Sequence, residues 1–157
     1  MSLYQFQYAI KAICQFDHPK DHGYALLIQY PNETIIELHL KNLPPGSHGF
    51  HIHEFADRRN GCVNMGPHYN PHKGIHLDVN QQDNHLGDLG NIKVDAQGEC
   101  HDTIMVHDLP LVGEFQVIGR GMVIHEKVDD VGLGGNEESH KTGNSGARIC
   151  CGIVGFL

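Results

Sequence analysis

Six histidines and one aspartate between positions 51 and 125 carry the chemistry of this chain: His51, His53, His68, His76, His85, Asp88 and His125. Neutral imidazoles and a carboxylate are ligands for transition metals. Seven donors exceed what one tetrahedral ion needs, so their number points to two metals that share a ligand. Donor type sorts the two sites. An all-imidazole set suits copper, and a carboxylate among imidazoles suits zinc. His51 and His53 are two apart, so on a strand both rings leave the same face. His125 follows the apolar run Met122-Val123-Ile124 and is also strand-borne. His76, His85 and Asp88 come from a Gly/Pro/Asn-rich stretch, as expected of a structural site that organises a loop. His68, near the start of that stretch, is the natural shared ligand, one ring nitrogen for each metal.

The remaining histidines need a separate account, because the chain has 14 of them. His18, His22, His39, His101 and His107 lack ligand-like neighbours. His48 precedes the ligand strand and reads as a hydrogen-bonding core residue. His72, close to the metal loop, is the likeliest decoy.

These donors need rigid elements to hold them. Period-two alternation of apolar side chains predicts strands over 3–14, 24–30, 34–40, 49–55, 90–94, 99–106, 115–125 and 147–155, separated by Gly, Pro, Asn and Asp clusters. Residues 56–88 contain no convincing strand or helix. A stretch of that length inside a compact domain is functional or disordered, and the ligands within it favour function. Residues 127–146 form a second long polar loop. About eight short strands and two long functional loops make an all-β, Greek-key sandwich or barrel. No repeat, linker or boundary divides the 157 residues, so one domain over 1–157 is expected.

Bulk composition excludes other classes. The net charge is −8, which argues against nucleic-acid binding. No apolar run approaches the ~18 residues of a membrane span. The start, Met1-Ser2-Leu3-Tyr4-Gln5, shows no secretory signal, so a cytoplasmic, reducing location is expected. Five cysteines is an odd number, so at least one thiol is free or pairs between chains.

The motifs resemble those of copper/zinc superoxide dismutases, of the eukaryotic intracellular type. They are Gly49-Phe50-His51-Ile52-His53-Glu54, Gly66-Pro67-His68-Tyr69-Asn70-Pro71, His85-Leu86-Gly87-Asp88-Leu89-Gly90, Val123-Ile124-His125-Glu126-Lys127, Gly134-Gly135-Asn136-Glu137-Glu138-Ser139 and Gly143-Asn144-Ser145-Gly146-Ala147-Arg148. They run from Gly49 to the C-terminus. Before Gly49 only the strand layout and Lys11-Ala12-Ile13-Cys14 fit. The resemblance implies an antioxidant oxidoreductase that converts two superoxide anions to dioxygen and hydrogen peroxide, copper alternating between Cu(II) and Cu(I). It implies one copper on His51, His53, His68 and His125, and one zinc on His68, His76, His85 and Asp88. His68 would carry a proton and Arg148 would orient the anion, with Lys141 and Lys127 adding long-range attraction. Asp129 would accept hydrogen bonds from His51 and His76. A Cys62–Cys151 disulfide is implied, and closing its loop of about 90 residues would stabilise by about 4 kcal/mol. Cys14, Cys100 and Cys150 would then be free. The resemblance further implies a homodimer through Ile118, Gly119 and the tail Gly152–Phe156, and a copper chaperone as partner.

Three departures bear on this. Ala56 replaces the glycine usual after His-Glu-Phe, His76-Leu77-Asp78-Val79 lacks the common Gly/Pro pattern, and His140 adds a titratable group to the charged loop. None removes a ligand. A non-catalytic metal-binding protein would have lost a copper ligand or Arg148. A zinc hydrolase would need an open zinc position.

Overall fold

The computed structural model describes residues 9–157. Its strands are β1 (Ile10–Gln15), β2 (Gly23–Gln29), β3 (Glu33–Leu40), β4 (Gly46–His53), β5 (Arg59–Cys62), β6 (Asp88–Val94), β7 (Thr103–His107), β8 (Gly121–His125) and β9 (Arg148–Phe156). Eight of them form one sheet in the order β6-β4-β8-β9-β1-β2-β3-β7, every pair antiparallel. β3 pairs with β7 rather than with its sequence neighbour β4, which pairs with β6 and β8. That is the Greek-key barrel expected from the strand pattern. β9 joins its two halves. Residues 148–153 pair with β8, and Val154–Phe156 pair with β1. Gly152 comes just before the change of partner, and a Cβ there would lie 2.1 Å from the Gln15 carbonyl oxygen and 2.7 Å from Cys14 Sγ.

Alternation builds the core. Ala12 and Cys14 of β1, Ala25 and Leu27 of β2, and Ile36 and Leu38 of β3 face each other across the ladder and are buried. Each fully buried aliphatic or aromatic side chain contributes about 1.5–3 kcal/mol. On β4 the inward residues are Phe50 and Ile52, with Phe50 centred 6.1 Å from Phe16. His51 and His53 therefore point to the outer face, yet they are 0% and 1% exposed because the long loops cover them.

Several expected boundaries move. Of the strand expected over 3–14, residues 3–8 lie outside the described region, and the strand seen is Ile10–Gln15. The strand expected over 115–125 is only Gly121–His125, because residues 110–120 turn through Val117 N–H to Pro110 O and Arg120 N–H to Val117 O. The 99–106 strand becomes Thr103–His107, with Cys100 in an isolated bridge to Leu40. The stretch 56–88 holds short β5 and a 3-10 turn at Val63–Met65, so it is not free of regular structure. The second loop contains a one-turn helix, α1 (Ser139–Thr142). Both elements are too short for side-chain periodicity to reveal them.

A Cys62–Cys151 disulfide ties β5 to β9 across 89 positions. It packs with Met65 and Val123 in a small apolar cluster outside the barrel. Cys14, Cys100 and Cys150 are buried free thiols. Burial raises all three pKa values, Cys150 to about 12. Thiolate is the reacting form. Iodoacetamide at about pH 8 is therefore expected to leave all three unmodified in the folded protein and to label them after denaturation, read by mass spectrometry. Labelling of Cys14 in the native state would contradict this packing. Among the described residues, no helix is long and apolar enough to cross a membrane.

Candidate metal centre

The seven predicted donors meet outside the barrel, beneath the two loops. His51 and His53 come from β4, His125 from the end of β8, and His68 from the segment after the 3-10 turn, where it bridges to His53. The ligand atoms of His51, His53, His68 and His125 all lie within 4.8 Å of one another. Each ring is held by its other nitrogen. His51 Nε2 donates to Asp129 Oδ2 (2.7 Å), His53 Nδ1 to Gly66 O (2.9 Å) and His125 Nδ1 to Gly146 O (3.1 Å). With those protons so placed, Nε2 of His53 and Nε2 of His125 present lone pairs 3.3 Å apart. Two facing lone pairs need a cation between them. His51 Nδ1 and His68 Nε2 are buried in the same space without a hydrogen-bond partner. An unpartnered buried nitrogen is costly in a protein alone and natural in a metal site.

The second set gathers on Asp88. Its Oδ1 is 2.9 Å from His68 Nδ1, 2.9 Å from His76 Nδ1 and 3.2 Å from His85 Nδ1. The last contact misses hydrogen-bond geometry, and His85 Nδ1 stays unpartnered. The four donors on this side whose ligand atoms all lie within 4.8 Å of one another are His51, His68, His76 and Asp88, with His51 in place of His85. His51 enters this group because its ring stacks on His68, centroids 3.9 Å apart. Its Nε2 is bound to Asp129 and its Nδ1 faces the all-imidazole set, so the looser His85, whose unpartnered Nδ1 is 3.2 Å from Asp88 Oδ1, is the further nitrogen available to this set.

Asp129 is 3% exposed and spans both sets, accepting from His51 Nε2 at Oδ2 and from His76 Nε2 at Oδ1, 2.7 Å each. Carboxylates placed this way fix ring orientation and tautomer. Asn91 holds Asp129 in turn: its Nδ2 donates to the Asp129 carbonyl (2.9 Å), and its Oδ1 accepts from the Asp129 N–H (2.7 Å). No sequence signal marks Asn91, since the contact spans 38 positions. Asn91→Ala is expected to weaken zinc binding by about 10-fold with the barrel intact, measured by chelator competition and circular dichroism. Unchanged zinc affinity would remove Asn91 from the support of the site.

The electrostatics favour cations. Burial pushes the pKa values of His51 and His53 far down and that of His125 to about 4, so these rings are neutral and their lone pairs available. Burial also lowers His68, against the pull of Asp88. His76 differs: burial opposes its charge, but hydrogen bonds to Asp129 and Asp88 outweigh this and raise it to about 9. The negative potential that draws a proton there would draw a dication. Asp88 is held ionised, because its hydrogen bonds to His68 and His76, with the His85 ring close by, overcome its burial.

Arg148 stands at the rim. Its Nη1 donates to Cys62 O (2.9 Å) and Val63 O (3.1 Å), and its Nη2 to Gly66 O (2.6 Å). Gly66 O is also the acceptor for His53 Nδ1, so guanidinium and imidazole share one anchor. Three of five guanidinium N–H groups are thus used, and two are left for an anion. The cleft, about 1100 Å³, is lined by Arg148, Arg120, Lys127, Lys141 and His140, with Glu54 and Glu138. Lys141 pairs with Glu137, which reduces its net field. His72 is exposed and packs edge-on against Phe115, outside both sets. His48 is buried, with Nδ1 2.8 Å from His125 O and Nε2 2.7 Å from Pro44 O.

The geometry now has a family. Residues 21–154 match the family model for copper/zinc superoxide dismutase (SODC). The chain belongs to the copper/zinc superoxide dismutase family. It is 52% identical over 115 residues to a superoxide dismutase [Cu-Zn] of Candida glabrata, covering 73% of this chain and 75% of the relative. A superoxide dismutase [Cu-Zn] of Neurospora crassa is 51% identical over the same length and shares. The fold is similar to the crystal structure of the clock protein EA4, with a TM-score of 0.90 and 35% identity over 97% of this chain and 98% of that one. Family membership brings the enzyme class, an oxidoreductase acting on superoxide, and the cofactors, copper and zinc. The donor sets fit both metals, as the unpartnered nitrogens and the facing lone pairs show.

Proposed function

We propose that this superoxide dismutase works through copper held by His51, His53, His68 and His125, and zinc held by His68, His76, His85 and Asp88, one of each per subunit. The observation that carries the reading is His68, whose Nε2 faces the all-imidazole set unpartnered while its Nδ1 meets Asp88 at 2.9 Å. Copper, when bound, supplies the electron exchange between Cu(II) and Cu(I) that converts two superoxide anions to dioxygen and hydrogen peroxide; zinc has no accessible redox state and supplies charge and order. The protein's own groups do the rest. Arg148 receives the anion on its two remaining N–H donors. At Nε2, the nitrogen that otherwise faces copper, His68 would take up a proton from solvent and pass it to the second superoxide as that anion is reduced to peroxide. Asp129 keeps His51 and His76 in register. Lys127 and Lys141 draw the anion towards a cleft in a protein of net charge −8.

The test is superoxide decay by the metallated protein. Turnover is expected to fall with added salt, as the screening length shrinks from about 8 Å to about 3 Å. Arg148→Ala is expected to slow it by about 10–100-fold with copper still bound. Unchanged turnover with full copper would end the guiding role of Arg148.

The same reading takes 1–157 as one domain and as half of a homodimer. Support for the dimer comes from the turn and tail. Gly119 N–H donates to Val154 O, and Phe156 beside them is 58% exposed. Sedimentation of the loaded protein tests it. Ligands that are 0–4% exposed favour delivery by a copper chaperone. Three reduced buried thiols fit a cytoplasmic location.

A further inference from the structure

Arg120 is a cation of the cleft with no part in the reading above. It precedes β8, and its half-buried guanidinium makes three contacts in three segments. Nε donates to Gln116 O (3.0 Å), Nη1 donates to Glu54 O (2.9 Å), and Cζ stands 3.6 Å from the centroid of the Tyr69 ring. Two of these contacts adjoin proposed copper ligands: Glu54 follows His53 and Tyr69 follows His68. Tyr69 is 5% exposed and strapped by its backbone. Its N–H donates to Ile52 O (2.8 Å), and its carbonyl accepts from Gly87 N–H (2.9 Å), next to Asp88. One planar cation thus closes a ring of contacts around the His53–His68 bridge.

We propose that Arg120 is a positioning residue for the metal centre: by stacking on Tyr69 and binding the Glu54 carbonyl it sets the orientation of His53 relative to His68. The inference rests on the reading that these two rings hold copper. The plane matters more than the charge. A guanidinium can stack and donate in two directions at once, and an ammonium presents a point charge with no plane. The role is therefore lost in Arg120→Lys, which keeps the charge. It is lost equally in Tyr69→Leu, which keeps Arg120, and it survives in Tyr69→Phe, which keeps the ring.

The experiment uses the full-length, copper- and zinc-loaded protein and the variants Arg120→Lys, Arg120→Gln, Tyr69→Leu and Tyr69→Phe. Metal content, the Cu(II) electron paramagnetic resonance spectrum, superoxide turnover and its salt dependence are read for each. Arg120→Lys and Tyr69→Leu are expected to shift the Cu(II) spectrum in the same sense and to lower turnover by about 10-fold at unchanged copper content. The salt dependence of Arg120→Lys should match the parent. Tyr69→Phe should resemble the parent throughout. A parental Cu(II) spectrum in both Arg120→Lys and Tyr69→Leu would overturn the proposal, even if both melted earlier. So would full function in Arg120→Lys with loss only in Arg120→Gln, which would make Arg120 a steering charge. Should Tyr69→Leu not fold, Arg120→Lys decides alone. If the parent protein shows no histidine-bound Cu(II) spectrum, the assignment of His53 and His68 fails, and that result is distinct from an unshifted spectrum in the variants.

Discussion

His68→Ala is expected to abolish superoxide turnover and to weaken zinc binding by more than about 100-fold, since losing a ligand exceeds the 10–100-fold loss typical of outer-shell partners. Of the proposed ligands, His68 is the ring assigned one nitrogen in each set. Nδ1 lies 2.9 Å from Asp88 Oδ1, and Nε2 is buried among the copper-side nitrogens without a partner. Removing the ring takes a donor from both metals at once. It also removes the stacking surface of His51, whose centroid is 3.9 Å away, and so loosens the Asp129 link to His76. The barrel core is on the opposite face of β4, at Phe50 and Ile52, so the fold itself should persist. Metal content after dialysis against a chelator, with superoxide decay, measures the result. A variant that keeps one zinc per chain and parental turnover would show that the two sets do not depend on a common ligand.

Gly143→Ala is expected to be the most damaging change outside the ligands. Gly143 ends α1 with φ +66°, a left-handed conformation that costs a residue with a side chain about 1–2 kcal/mol. The second cost is contact. A Cβ there would lie 1.8 Å from Asp129 Oδ1 and 2.5 Å from His76 Nε2, the two atoms whose hydrogen bond links the metal sets. Neither is a mobile chain end, because Asn91 clamps Asp129 and Asp88 holds His76. The loop or the pair must move, at about 1–3 kcal/mol more. The melting temperature should drop by roughly 5–15 °C, with weaker zinc retention. Gly135→Ala is the control. Gly135 also has positive φ (+74°), but nothing lies within 4 Å of its would-be Cβ. It should show the conformational cost alone, with zinc retention unchanged. Equal effects from the two substitutions would refute the contact argument.

The legible part of this protein was chemical type and period. Strand alternation predicted the barrel, and the outward faces of His51 and His53 followed from a spacing of two. The donor types separated an all-imidazole set from one with a carboxylate, and the family motifs named Asp129, Arg148 and the Cys62–Cys151 pairing. The illegible part was whatever depends on one loop lying against another. β5 and α1 are four residues each and too short for a periodic signal. Asn91 looks like any strand-surface amide until Asp129 is laid across it, and Arg120 like any loop cation until Tyr69 stacks on it.

The sequence by itself determined which atoms can bind metal and which strands can carry them, because ligand chemistry and strand period are local properties. Only the tertiary structure decided where the second nitrogen of each ring points, which carbonyls hold Arg148, and why position 143 must be glycine. Those outcomes come from contacts between residues 13 to 86 positions apart in the chain, closed by a disulfide and two folded-over loops. Spacing along the chain carries no record of them.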